Sequence, residues 1–152
     1  MKTPLKFFLF FLIIINYGCN NDEGILCFTE PAPFSFELVD KTTGENLLTN
    51  GTFKSTDIVV KDLDDPSKKV KFDIISENNL NVIRFGYIGW ETENINYSVS
   101  IQGKNIYDFH VKATRVNNKC SYTEYKDFKI ENTTYEFDKT NGVYKIFVDS
   151  EI

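Results

Sequence analysis

Residues 97–113 read YSVSIQGKNIYDFHVKA, and they contain two runs in which apolar and polar residues alternate. Alternation with a period of two places every second side chain on the same face of a β-strand. Gln102–Asn105, between the two runs, has the composition of a tight hairpin turn. The stretch therefore predicts two antiparallel strands that share one buried face. The residues of that face are Tyr97, Val99, Ile101, Tyr107, Phe109, Val111 and Ala113.

Other apolar segments from residue 34 onward also predict strands, and most of them alternate in the same way, although the pattern of Tyr122–Ile130 is blurred. Further strands are predicted at Phe34–Leu38, Asp57–Lys61, Val70–Ile74, Leu80–Ile88, Tyr122–Ile130, Tyr135–Phe137 and Val143–Val148. In the fourth of these, Ile83, Phe85 and Tyr87 are expected on one face. Gly86 and Gly89 weaken this strand and predict a bulge or a bend.

The spacing of these segments predicts the fold class. No segment shows helical periodicity over more than two turns. Short strands that recur every 8–12 residues or so are typical of an antiparallel β-sandwich or barrel. We expect one all-β domain over residues 34–152, an antiparallel β-sandwich of about 8–9 strands with an immunoglobulin-like or transthyretin-like architecture.

The N-terminal segment has the three parts of a secretory signal peptide. Lys2 and Lys6 form a basic region, and the apolar run Phe7–Ile15 follows them. This run has nine residues, whereas a transmembrane helix needs about 20. A small residue, Gly18, precedes Cys19 at the expected cleavage point. We therefore predict a signal peptide over residues 1–18.

Gly18 and Cys19 resemble the lipobox of bacterial lipoproteins. That family usually has leucine three positions before the cysteine and a small residue two before it, where this chain has Asn16 and Tyr17. The polar, acidic residues 20–23 are similar to the stretch after the lipid-bearing cysteine in surface lipoproteins of the Bacteroidota. The resemblance implies that Cys19 carries lipid, such as palmitate, and anchors the protein in the cell envelope, at the periplasmic or surface side of the outer membrane. The alternative is ordinary signal-peptidase cleavage, with Cys19 as an extracellular thiol.

Residues 19–33 are predicted to form a flexible tether behind the anchor. If Cys19 bears lipid, Cys27 and Cys120 remain, and two cysteines of an exported chain are expected to pair. This disulfide would close a loop of roughly 90 residues and contribute on the order of 4 kcal/mol in a chain-entropy model. Two free thiols, or a bridge that uses Cys19, are the alternatives.

The charge of the chain limits the classes of partner. The chain has 17 basic and 22 acidic residues and a net charge of −5. Removal of residues 1–18 takes away two lysines and leaves 15 basic residues, so the mature net charge is −7. An acidic surface repels a phosphate backbone, and nucleic acid is therefore not an expected partner.

Trp90 and Tyr87 form the predicted binding site. Trp90 follows a glycine-flanked loop, and beside Tyr87 it can present a flat aromatic surface that stacks on a sugar ring or on apolar groups of a partner. Asn94, together with Asn96 and Gln102, can supply hydrogen bonds to hydroxyl groups. The alternative is that Trp90 is a core or edge residue that covers the open end of the sandwich.

Two other polar features are predicted to be solvated. His110, the single histidine, lies on the strand face opposite the aromatic residues; its alternative role is a general base or metal ligand. Asp62, Asp64 and Asp65 bring three carboxylates into one loop, a composition that calcium accepts. Their spacing is not that of an EF-hand, and the lysines at 68–69 offer neutralising charge. No metal ion or cofactor is therefore expected.

The predicted function is recognition and not catalysis. Nucleophile elbows, phosphate-binding glycine loops, Cys-x-x-Cys pairs and metal-binding helix motifs do not occur in the sequence. The first hypothesis is a non-catalytic, lipid-anchored envelope protein that binds a glycan or another envelope protein. A second is an inhibitor or immunity protein, which an acidic surface would steer toward a basic enzyme. A third is a small hydrolase whose carboxylates meet only in the folded chain.

Overall fold

The computed structural model describes residues 27–77 and 80–150, and it shows ten strands in two five-stranded sheets. The strands are β1 (Cys27–Phe28), β2 (Phe34–Asp40), β3 (Ile58–Asp62), β4 (Asp73–Glu77), β5 (Leu80–Phe85), β6 (Glu93–Ile101), β7 (Lys104–Asn117), β8 (Cys120–Glu131), β9 (Thr134–Asp138) and β10 (Val143–Val148). The predicted all-β sandwich is confirmed. The predicted signal peptide and Cys19 lie outside the described residues. Within the described part, no helix has the length and hydropathy needed to cross a bilayer.

The two sheets contain both antiparallel and parallel neighbours. The strand order is β1-β8-β7-β6-β3 in the first sheet and β4-β5-β2-β10-β9 in the second. Neighbours are antiparallel except in two pairs, β1 with β8 and β2 with β10. The sequence predicts an antiparallel sandwich without these parallel pairs. Both pairs join strands that are far apart in the chain, and such pairing leaves no trace in local periodicity.

The predicted hairpin of residues 97–113 belongs to β6 and β7. Its loop has only two residues, because Ile101 pairs with Lys104. Gln102 and Gly103 both have positive φ, 53° and 83°, which is the conformation of a type I′ turn. The seven residues predicted to face inward are all buried, with exposed fractions of 6 % or less. The prediction for this stretch is confirmed.

The core lies between the sheets and is built largely from aromatic rings. Phe36 of β2 is fully buried. Its ring centroid lies 5.1 Å from those of Tyr107 and Phe109 in the opposite sheet and 5.8 Å from that of Phe85 in its own sheet. Full burial of such a side chain contributes about 1.5–3 kcal/mol. These rings therefore hold the two sheets face to face.

A β-bulge explains the irregular sequence pattern of β8. Between two successive pairs of the β7–β8 ladder, β8 contains one residue more than β7. Asp127 lies at this point and has a φ of 56°. An inserted residue reverses which side chains face inward. Tyr125 before the bulge and Phe128 after it therefore both contact Phe34, at 5.1 and 5.3 Å between ring centroids.

Three elements differ from the predictions. The chain leaves β5 after Phe85 and turns through Gly89, which has a φ of 91°. The prediction that Tyr87 shares the buried face of Phe85 is wrong, because Tyr87 is 53 % exposed and Ile88 is buried in its place. β4 begins at Asp73, three residues later than predicted. β1 lies inside the predicted tether and was not predicted, since two residues are too few to show a period.

Candidate functional site

A cleft of about 360 Å³ opens at the end of the sandwich where β5 finishes and β6 begins. We term this the cleft end. One wall is the loop of residues 86–92, and the other is the segment of residues 68–71 before β4. The lining residues are Lys68, Lys69, Val70, Lys71, Tyr87, Ile88, Trp90, Glu91, Glu93 and Tyr97. The two aromatic residues predicted to form a binding surface therefore line one cleft.

Both of these rings are partly open to solvent. Tyr87 is 53 % exposed and Trp90 is 46 % exposed. Nε1 of Trp90 donates a hydrogen bond to the carbonyl of Gly86 at 3.3 Å, and the indole packs against Phe28 with 5.9 Å between ring centroids. The ammonium of Lys71 lies 5.8 Å from the centre of the Tyr87 ring, a cation–π distance. Each ring is held in place while part of it remains accessible.

The loop that carries the rings is fixed by neighbouring side chains. The backbone N–H of Gly89 donates to the carboxylate of Glu93 at 2.8 Å, and its carbonyl accepts from the hydroxyl of Thr123 at 2.6 Å. The hydroxyl of Tyr125 lies at hydrogen-bond distance, 3.1 Å, from the carbonyl of Ile88. A Cβ at Gly89 would lie 2.7 Å from both Thr123 and Tyr125. Only glycine fits this position, so the loop geometry depends on the absence of a side chain there.

β1 supports Trp90 from the other side. The predicted Cys27–Cys120 disulfide is confirmed, and β1 pairs in parallel with the start of β8. Phe28 contacts both the indole of Trp90 and the guanidinium of Arg115, whose central carbon is 4.9 Å from the ring centre. The disulfide therefore fixes a segment that itself contacts the cleft.

The charges around the cleft are mixed in sign. Lys68 forms an ion pair with Asp62 at 3.6 Å. Lys69 and Lys71 form no ion pair with another residue in the described ranges. Glu91 and Glu93 add two carboxylates to the lining. Two ammonium groups are thus available to bind the acceptor atoms of a ligand.

Tyr97 is a buried residue of the cleft lining, and the sequence did not predict it as a site residue. The residue is 6 % exposed, and its hydroxyl forms no hydrogen bond with another described residue. Burial, followed by the carboxylates of Glu93 and Asp62, raises the pKa of Tyr97 to about 12. The hydroxyl is therefore protonated at neutral pH and can donate a hydrogen bond to a bound molecule. Alternation identifies Tyr97 as inward-facing but does not show that the core ends there.

The polar residues predicted to accompany Trp90 lie elsewhere. Asn94 is exposed on β6 and is not part of the cleft lining. Asn96 donates a hydrogen bond to Asp64 at 3.1 Å. Gln102 lies in the β6–β7 turn, at the opposite end of the sandwich. Closeness in sequence did not bring them together, because side chains alternate along β6 and Asn94 and Asn96 lie on the face opposite that of Tyr97.

His110 and the aspartate loop of residues 62–65 are the two other polar features that the sequence singles out. His110 is partly exposed on the outward face of β7, as predicted. The prediction that Asp62 is solvated is wrong, because this residue is buried. Its carboxylate accepts hydrogen bonds from the backbone N–H groups of Asp64 at 3.0 Å and Asp65 at 3.2 Å. Across residues 27–77 and 80–150, no group of three or more His, Cys, Asp or Glu side chains is placed to hold a metal ion.

The cleft combines two kinds of recognition group. Tyr87 and Trp90 present apolar ring faces, and Tyr97, Lys69 and Lys71 present hydrogen-bond donors around them. Such a set can bind a molecule that has both apolar faces and acceptor atoms. No protein-family model matches the chain, and no curated protein or solved structure matches it.

Proposed function

We propose that the domain is a non-catalytic binding module that takes a glycan in the cleft. The joint exposure of Tyr87 and Trp90 in one cleft is the observation that supports this most directly. The C–H faces of a sugar ring are apolar and stack on aromatic rings, whereas its hydroxyl groups need hydrogen-bonding partners. The cleft offers both, with rings on one wall and Tyr97, Lys69 and Lys71 around them.

The proposal includes an anchor and a location. Residues 1–18 and the lipobox-like Gly18-Cys19 support export and attachment of Cys19 to lipid in the cell envelope, at the outer membrane. Mass spectrometry of the protein purified from its membrane is expected to find an acylated Cys19 as the first residue. A mature chain that begins elsewhere would contradict the anchor. The immunoglobulin-like or transthyretin-like type of the sandwich stays a prediction, supported by its two packed five-stranded sheets.

A glycan array of neutral and uronate-containing oligosaccharides tests the ligand class. Trp90→Ala and Tyr87→Ala are each expected to abolish binding and to leave the unfolding midpoint nearly unchanged, because both side chains are half exposed. Tyr135→Ala is the matched control, since Tyr135 is 45 % exposed on β9 and does not line the cleft. Absence of binding to every oligosaccharide, or equal loss with the control, would rule the proposal out.

A second variant tests the buried tyrosine of the cleft lining. Tyr97→Phe removes a hydroxyl that has no partner in the described part of the protein. If a bound sugar accepts its hydrogen bond, affinity should fall about twofold to tenfold, which corresponds to a net hydrogen bond of about 0.5–1.5 kcal/mol. Isothermal titration with the best oligosaccharide of the array measures this loss. Unchanged affinity would place the ligand on the rim only.

A further inference from the structure

Exposed apolar side chains are concentrated at the cleft end. Five of the eight large hydrophobic side chains that are exposed in the described ranges lie there, with exposed fractions of 39–53 %. They are Phe28, Leu63, Tyr87, Trp90 and Tyr122. Single exposed apolar residues are ordinary, but a concentration of them on one part of a small domain indicates a contact surface.

Strand register shows that these five residues share one end. The last residue of β3, Asp62, pairs with Tyr97, which lines the cleft, and the start of β6 pairs with the far part of β7. The last residues of β7 pair with the first residues of β8, where β1 is attached. Leu63 follows the end of β3, Phe28 lies in β1, and Tyr122 lies near the start of β8. Tyr87 and Trp90 lie in the loop before β6.

The N-terminal segment enters the domain at the same end. Cys27 is fixed there by its disulfide to Cys120. Eight residue steps separate Cys19 from Cys27, and a chain of that length spans at most about 28 Å. With Cys19 attached to lipid, as proposed above, the cleft end is the end of the domain that is tethered to the bilayer.

We infer that the cleft end is a membrane-contacting surface whose partner is the interfacial layer of the lipid bilayer. Tryptophan and tyrosine suit this layer, because their rings are apolar while the N–H or O–H group meets water and headgroups. A lipid anchor and an apolar surface together hold a protein more firmly than one of them alone. The inference goes beyond the glycan site and rests only on the proposed anchor.

Charge does not drive this contact. Lys68, Lys69 and Lys71 line the cleft together with Glu91 and Glu93, and the chain without residues 1–18 has a net charge of −7. An attraction to anionic headgroups is therefore not expected. The contact should form on neutral phosphatidylcholine and be insensitive to salt, whereas anionic lipid should weaken it.

The single tryptophan of the chain, Trp90, reports on this surface. The full, lipid-bearing protein is reconstituted in phosphatidylcholine vesicles, and its emission is compared with that of the soluble Cys19→Ser protein. A shift of the emission to shorter wavelength, quenching by brominated acyl chains and protection from acrylamide are expected. Unshifted emission that acrylamide quenches fully and brominated lipid does not would overturn the inference.

A matched pair of variants at Leu63 and Val59 tests whether an added charge weakens lipid contact only at the cleft end. Leu63→Lys places a charge in the surface, and Leu63 is not part of the cleft lining. This variant is expected to lose most of the quenching by brominated lipid. Val59→Lys is the control, because Val59 is 45 % exposed against 47 % for Leu63 but lies further from the cleft end on β3. Equal quenching in the two variants would contradict the inference.

The two proposals share Tyr87 and Trp90, so glycan binding is measured on the soluble Cys19→Ser protein and lipid contact on vesicles, and each proposal can then fail without the other. The vesicles contain no saccharide, so lipid quenching of Trp90 does not depend on glycan binding. Leu63→Lys is expected to bind soluble oligosaccharides as the unmodified protein does. Loss of glycan binding with normal quenching, or the reverse, identifies which of the two is wrong.

Discussion

Tyr97 and Tyr107 show how position decides the effect of one hydroxyl group. Both side chains face inward from the neighbouring strands β6 and β7, and both are buried. Tyr97 lines the cleft, whereas the hydroxyl of Tyr107 is enclosed in the core. In the described part of the chain, it is the one fully buried side-chain polar atom without a hydrogen-bond partner. Burial raises the pKa of Tyr107 well above its usual value, so the group remains neutral.

Tyr107→Phe is expected to stabilise the protein. The change keeps the ring and removes a buried hydroxyl whose lost solvation costs about 1–3 kcal/mol. Urea denaturation followed by circular dichroism should show a free energy of unfolding higher by about 1 kcal/mol. A loss of stability instead would show that the hydroxyl has a partner in solution.

Gly89→Ala tests a position that requires glycine for two reasons. Gly89 has a φ of 91° and contacts on two sides, whereas Gly44 has a φ of 74° with nothing within 4 Å of an added Cβ. Gly44→Ala therefore measures the conformational cost alone, about 1–2 kcal/mol. Gly89→Ala should destabilise the protein more than this and also change the fluorescence of Trp90. Equal losses in the two variants would mean that the loop relaxes around the added methyl group.

At the residue scale, the sequence shows which way a side chain points better than where the core stops. Alternation correctly predicts that Tyr97 faces inward. The same pattern predicts that Tyr87 also faces inward, and this prediction is wrong. The strand ends between Phe85 and Tyr87, because Gly86 adds no side chain that would hold the chain to the sheet. A period of two contains no information about the residue at which it breaks.

Among the elements, the shortest strand affects the cleft most directly. β1 has only two residues, and its ladder to β8 cannot hold it alone. The disulfide between Cys27 and Cys120 attaches β1 to β8, and the ring of Phe28 in β1 packs against the indole of Trp90. A covalent bond at the edge of the first sheet thereby positions a ring of the binding site.

Replacement of both cysteines by serine, C27S/C120S, tests this link. The free energy of unfolding is expected to fall by on the order of 4 kcal/mol, because the bridge constrains a long loop of the unfolded chain. The emission of Trp90 should change as well, since Phe28 is released from it. Thermal unfolding and emission spectra measure the two effects. An unchanged spectrum would show that β1 stays in place without the bridge.

The elements differ in how well the sequence predicts them. For the β6–β7 hairpin, the sequence correctly predicts both the position of the strands and the side chains that face inward, because local alternation and turn composition agree there. β8 gave a weak pattern, since the inserted residue near Asp127 reverses its faces. β1 was missed because its partner lies 93 residues away along the chain, and pairing at that distance has no local signal.

For the molecule as a whole, Asp40 connects the end of β2 with the C-terminal residues. Its carboxylate accepts the backbone N–H groups of Thr43 at 2.7 Å and Thr42 at 2.8 Å. The hydrogen bond from the Thr43 backbone, then those from the Ser150 side chain and the Thr42 backbone, lowers the pKa of Asp40 to about 2. The folded protein therefore keeps this carboxyl ionised in mild acid.

The protein is expected to lose stability in acid between about pH 4 and pH 2. The ordinary pKa of aspartate is 3.8, and that of folded Asp40 is about 2, so the unfolded chain takes up the proton first as the pH falls. Hydrogen bonds from Ser67 and from the backbone of Thr140 lower the pKa of Asp65 and Asp138 in the same direction. Melting temperatures measured across this range should fall less steeply in Asp40→Asn. An identical slope would contradict the assignment to Asp40.

The position of β10 has a consequence for how the protein is made. It is the last strand of the described residues, yet it lies inside its sheet, between β2 and β9. Until residue 148 has emerged from the ribosome, one edge of β2 is unpaired and β9 has no neighbouring strand, because both pair with β10. The second sheet therefore closes only after residue 148 has been synthesised, and before that point the chain is unfolded enough to pass through a narrow pore.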